Sequence, residues 1–99
     1  MDSTNGWHQF LELSAASIKC NNFDALMQVL LTAEEKEQLS TRVLLLQQLL
    51  AGKKSQREIA QELKISISKI TRGSNELKRS DAAMHTFLKE HLLSMVQQD

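Results

Sequence analysis

The chain has 99 residues and sets 12 Lys and Arg against 12 Asp and Glu, so its net charge is zero and bulk electrostatics names no partner. There is no proline, only three glycines (Gly6, Gly52, Gly73) and one cysteine, Cys20, which rules out an internal disulfide and fits a reducing compartment. This points to one small all-α domain over residues 1–99; with no apolar run near the roughly 20 residues of a membrane span and no signal-peptide pattern, a cytoplasmic location is expected.

Six helices are predicted in chain order. Residues 1–6 are left open between an ordered start and a flexible arm. Trp7, Phe10, Leu11 and the run from Leu13 to Ile18 mark the first helix, which ends near Asn21 and Asn22. Phe23 to Leu31 form a short second helix. Thr32 opens the third with its hydroxyl as cap, and Glu35 completes a capping box; the helix runs to Leu50 and stops at Gly52. Leu39, Val43, Leu44, Leu45, Leu46, Leu49 and Leu50 cover more of its circumference than one neighbouring helix can hide, so burial on several sides is expected.

The fourth helix starts at Ser55, which with Glu58 forms a second capping box, and carries Ile59, Ala60 and Leu63 at helical spacing. It stops near Lys64, where many two-helix readers of this kind have glycine; a lysine there adopts positive φ only at a cost. Ile65 plugs the turn and Ser66 caps the fifth helix. On that helix Ile70, Ser74 and Leu77 point inward, while Ser68, Arg72, Asn75 and Arg79 share the opposite face, flanked by Lys69 and Thr71. Ser80 and Asp81 start the sixth helix, with Met84, Phe87, Leu88, Leu92 and Met95 on a broad apolar stripe.

Residues 55–79 therefore have the form of a helix-turn-helix DNA reader. Hydroxyls, amides and cations on its outer face are the groups that bond base edges and neutralise phosphates. Charge distribution sharpens this reading. Residues 53–79 hold eight bases against three acids, a net of +5, while residues 1–52 carry −3 and residues 80–99 carry −2. A basic module between acidic arms favours a localised nucleic-acid footprint over two ordinary surface helices with a solvated face. The terminal helices are rich in apolar residues yet too few for a core of their own. A homodimer is expected, which sets two reading helices in successive major grooves of a pseudo-palindromic site; a monomeric bundle with a wide central helix is the alternative.

Arg42 interrupts the leucine-rich third helix, and Arg72 sits just before Gly73. Together with QREIAQEL, ITRGSN followed by LK, and LLTAEEKEQLSTRV, these residues resemble the Trp repressor family, the tryptophan-dependent repressors of the trp operon. The resemblance runs from about Trp7 to the C-terminal helix and is densest from Leu31 to Lys78. It implies an intertwined all-helical homodimer that binds operator DNA of tryptophan biosynthesis genes with L-tryptophan as corepressor. The family's ligand positions match Arg42 and Arg72 on either face of the indole, Gly73 beside it, Thr32 near the ring, and the carbonyls of Val29 and Leu31 from the other subunit for the amino group. Without the resemblance, Arg42 reads as an ordinary salt bridge with Glu35 or Glu37. For DNA the match carries Gln56, Arg57, Ile67, Ser68, Thr71 and Lys78, with Thr41 on phosphate; the helical wheel alone assigns Arg72 to DNA as well.

Two departures stand out. Glu76 occupies a position near the ligand's amino group where a small hydroxyl residue is usual, and Lys69 replaces a smaller residue on the reading helix. The Glu76 carboxylate can pair with the ligand ammonium or turn to Lys69 or solvent; the second outcome opens the reading of a regulator with another effector or none. A different class, a helical dimerisation or protein-interaction module, stays open at this point. An enzyme is not expected: His85 and His91 are six apart, His8 is remote, and no nucleophile has an evident base.

Overall fold

The structure is a computed structural model that describes residues 3–96. The six predicted helices are present: α1 (Ser3–Lys19), α2 (Phe23–Leu30), α3 (Ala33–Ala51), α4 (Gln56–Leu63), α5 (Ile67–Arg79) and α6 (Ala82–Val96). No strand occurs among the described residues. Ser3 to Gly6 continue α1, while Met1 and Asp2 of the N-terminal segment lie outside the described residues. Two compact units are distinguished, Met1–Lys36 and Glu37–Asp99, with the division falling inside α3.

In the first unit α1 closes on Asn21, held at φ 57°, and the N–H of Asn22 reaches back to the Ser17 carbonyl (2.9 Å), so an asparagine does the work of a C-terminal glycine. α2 ends one residue earlier than the pattern predicts. Leu31 is extended (φ −106°, ψ 141°) and donates its N–H to the Met27 carbonyl, because Thr32 is already committed to starting α3. That start is the expected capping box: the Glu35 N–H donates to Thr32 Oγ1 (3.1 Å) and the Thr32 N–H to Glu35 Oε1 (2.9 Å). Trp7 and Phe10 stack at 5.2 Å between ring centroids. Ser17 is buried and donates to the Ser14 carbonyl, whereas the buried Ser14 Oγ has no hydrogen-bond partner among the described residues. Between α1 and α2 an apolar hollow of about 330 Å³ opens, lined by Leu13, Ala16, Leu26 and Val29 among others.

The second unit has a true core. Leu45, Ile59 and Ile70 are buried together, from α3, α4 and α5, with Leu49, Ala60, Leu63 and Ile65 packed around them. Ile70 and Ile59 are 0% and 1% exposed, so the inward residues of the two short helices meet as their spacing requires. On α6 Leu92 is buried, and its carbonyl accepts from Gln47 Nε2 of α3 at 2.8 Å. The expectation for α3 needs correction within one chain: Leu45 is buried and Leu46, Leu49 and Leu50 are half-buried, but Leu39, Val43 and Leu44 stay exposed.

Candidate nucleic-acid interface and effector site

α4 and α5 are set by local chemistry on both sides of a short turn. The Ser55 capping box is complete, with the Glu58 N–H on Ser55 Oγ (3.1 Å) and the Ser55 N–H on Glu58 Oε1 (3.0 Å). Hydrogen bonds from the Ser55 backbone and hydroxyl hold the Glu58 carboxyl below the usual glutamate range. Lys64 ends α4 in the left-handed conformation (φ 58°, ψ 46°), and the Ile65 N–H bonds to the Ala60 carbonyl five residues back. The strain foreseen for a non-glycine residue in this turn is therefore present. Ser66 then caps α5, its Oγ accepting from the Lys69 N–H at 3.3 Å.

On α5 the inward and outward faces separate as the wheel requires. Ile70 is buried and Ser74 and Leu77 half-buried, while Ile67, Ser68, Lys69, Thr71, Arg72, Asn75 and Lys78 are exposed. Gln56 and Arg57 are exposed in the first turn of α4. Several hydroxyls on this surface already have occupations. Thr71 donates to the Ile67 carbonyl (3.1 Å), Ser68 lies 3.1 Å from Ser66 Oγ, and half-buried Thr41 on α3 donates to the Glu37 carbonyl (3.0 Å). Phosphate oxygens only accept, so Thr41 donates to one only by releasing that carbonyl.

The outer face is less uniformly basic than its sequence suggests. Arg79 is paired with Glu76, Nη2 to Oε1 at 2.9 Å, an exposed pair three residues apart on α5. Glu76 thus pairs with Arg79 and not with Lys69 while its side chain stays exposed, and Arg79 is not among the unneutralised cations of the reading face. Lys54 and Glu62 pair beside α4. Arg72 and, on α3, Arg42 are exposed and form no ion pair among the described residues, so the salt bridge of Arg42 with Glu35 or Glu37 is not formed.

Gly73 has a packing reason that sequence reasoning missed. A Cβ at this position would lie 2.8 Å from Leu45 Cδ2 and 3.5 Å from its Cγ, so α5 crosses α3 at bare backbone. In the first unit, Val29 is 83% exposed, Thr32 is exposed in its capping box, and Leu31 is half-buried. The carbonyls of Val29 and Leu31, at and beyond the end of the α2 ladder, accept no backbone hydrogen bond among the described residues. These residues are placed within their own unit. Among the described residues no group of three His, Cys, Asp or Glu could hold a metal ion, and no helix is long and apolar enough to cross a membrane.

A family model for the Trp repressor protein matches residues 5–92. The chain belongs to the Trp repressor family. Relatives agree over most of its length. It is 44% identical over 91 residues to a Trp operon repressor homolog of Vibrio parahaemolyticus, covering 92% of this chain and 88% of that one. With the Trp operon repressor homolog of Chlamydia caviae it shares 45% identity over 85 residues, 86% of this chain and 84% of the relative. The homolog of Vibrio cholerae is 42% identical over 76 residues, 77% and 74% of the two chains. Membership makes this Trp-repressor-family chain an all-α transcriptional repressor and not an enzyme.

Proposed function

We propose that the protein represses transcription as a homodimer in the cytoplasm, binding a pseudo-palindromic operator of tryptophan biosynthesis genes when L-tryptophan is bound. One observation carries this reading furthest: α5 exposes Ser68, Lys69, Thr71 and Lys78 as groove and phosphate contacts, and on the same helix Arg72 is exposed without a carboxylate partner. Reader and sensor then share one rigid element. The chemistry of the effector residues fits an amino-acid zwitterion with an aromatic side chain. Arg72 offers charge-assisted hydrogen bonds to a carboxylate, the guanidinium planes of Arg42 and Arg72 stack on an indole, and the carbonyls of Val29 and Leu31, which accept no backbone hydrogen bond among the described residues, suit an ammonium donor. Thr32 is assigned beside the ring and Gly73 beside the ligand.

Gln56, Arg57 and Ile67 are assigned to DNA with the α5 residues above, and Thr41 to a phosphate. The dimer reading is supported by apolar side chains left exposed on a single chain, among them Trp7, Leu13, Val29, Leu39, Val43 and Phe87. Tryptophan that favours the operator-binding arrangement must, by linkage, be bound more tightly when operator is present.

Binding to a trp-operator-like palindrome at fixed salt, with and without L-tryptophan, tests the proposal. Tight binding that requires the amino acid is the expected result, with the response lost in Arg72→Ala. Equal tryptophan affinity in wild type and Arg72→Ala would sink the pocket assignment. Glu76, engaged by Arg79, motivates a second reading with a different effector, and calorimetry with L-tryptophan, indole and other amino acids separates the two.

A further inference from the structure

We infer that the DNA footprint continues past α5 onto α6, where Lys89 joins Lys78 in binding a backbone phosphate of the duplex; the inference rests on the operator-binding reading above. A notch of about 300 Å³ opens where α3, α5 and α6 meet, floored by Leu49, Leu50 and Leu77 and edged by Lys78, His85 and Lys89. Its lining contains no carboxylate. Lys78 and Lys89 form no ion pair among the described residues. Of the acids near it in sequence, Glu76 holds Arg79, Asp81 Oδ1 accepts the Met84 N–H at the start of α6 (2.7 Å), and Glu90, next to Lys89, does not line the notch. On α6 the positions three and four residues from Lys89 are His85, Thr86, Leu92 and Leu93, none of them acidic.

Two ammonium groups and an imidazole around an apolar floor are suited to an anion with several acceptor oxygens. Lysine stems can cover leucines while their charged heads stay in water. A duplex phosphate is the occupant because Lys78, which edges the notch, is itself assigned to DNA in the operator-binding reading above, and Lys89 brings a second cation to the same notch. Lys89 is the one lysine or arginine in residues 80–99, a segment of net charge −2, so charge distribution alone does not point to it as a DNA contact.

The test measures duplex affinity of the full chain against salt from about 50 to 200 mM, with effector present, for wild type, Lys89→Gln, Lys89→Arg and Lys78→Gln. Lys89→Gln should flatten the slope of log affinity against log salt by about 0.9 for each phosphate lost, weaken operator and random duplexes by the same factor, and leave effector affinity unchanged. Lys89→Arg should restore the slope, which a folding defect would not allow. A Lys89→Gln slope equal to wild type, or a small carboxylate that binds the notch while DNA affinity ignores Lys89, overturns the inference. If Lys78→Gln flattens the slope and Lys89→Gln does not, the footprint ends on α5. Wild type that binds no duplex at low salt overturns the operator reading itself, and this inference with it.

Discussion

The α1–α2 pair has 13 apolar residues in 25 and the α4–α5 pair only 6 in 21, yet it is the leaner pair that buries Ile59 and Ile70 within one chain, while the richer one leaves Trp7, Leu11, Leu13, Ile18 and Val29 in the open. Ile59 and Ile70 each find a place against Leu45, whereas the buried residue of α1 is a serine. The reading pair thus has its core inside one chain, seated on Leu45 of α3. An exposed apolar pair, with a hollow of about 330 Å³ between its helices, needs a second surface, and a second copy of the chain is the one proposed above.

Breaking the exposed half should have the largest effect. Leu13→Glu places a charge on the α1–α2 hollow; in a dimer this costs several kcal/mol and raises the dissociation constant more than about hundredfold. Sedimentation should show monomer, whereas wild type that already sediments as a monomer would erase the contrast. Next comes the closed half. Ile70→Ala should cost about 2–5 kcal/mol in urea unfolding, because its site is fully enclosed. Gly73→Ala drives a methyl onto Leu45 and should cost about 1–3 kcal/mol, with the reading helix displaced.

Smaller effects test the local signals of the reading pair. Ser55→Ala removes a cap and should cost about 1 kcal/mol. Glu58, whose carboxyl is held low in the folded protein, stabilises fully above the usual glutamate pKa of about 4.3, and that contribution disappears as pH falls through the lowered folded value. Glu58→Gln should therefore melt below wild type at neutral pH, the gap closing below about pH 4. Lys64→Gly should raise stability by about 0.5–1 kcal/mol, since it relieves a left-handed lysine while adding freedom to the unfolded chain.

The features legible in the sequence are those decided within four or five residues. Both capping boxes, the strained Lys64, the stop at Gly52 and the inward set of Ile70, Ser74 and Leu77 follow from hydrogen-bond reach and helical period alone. Where two rules competed over one residue, prediction slipped: Leu31 fits the apolar run of α2, but the cap at Thr32 makes it extended. Contacts between helices were illegible for a different reason. Nothing local announces that Gly73 meets Leu45 or that Lys78 and Lys89 edge one notch, because crossing geometry settles these; within α5, rotamer choice gives Glu76 to Arg79 and not to Lys69. The helix-turn-helix pattern and its charge point to DNA by themselves, but the ligand roles come from the resemblance to the Trp repressor family, since a helical wheel alone assigns outward Arg72 to DNA.

The crossing at Gly73 has a mechanical consequence. A long side chain between two helices is a compliant spacer: it absorbs a small displacement by changing rotamer. At Gly73 there is no spacer, and the backbone of α5 rests directly on Leu45 and Leu49. Any tilt of the reading helix about this point must re-seat those leucines, and close-packed side chains exchange between discrete arrangements in preference to sliding. The joint between α3 and α5 therefore has no compliant spacer at this point, and a tilt of the reading helix registers in the seating of Leu45 and Leu49.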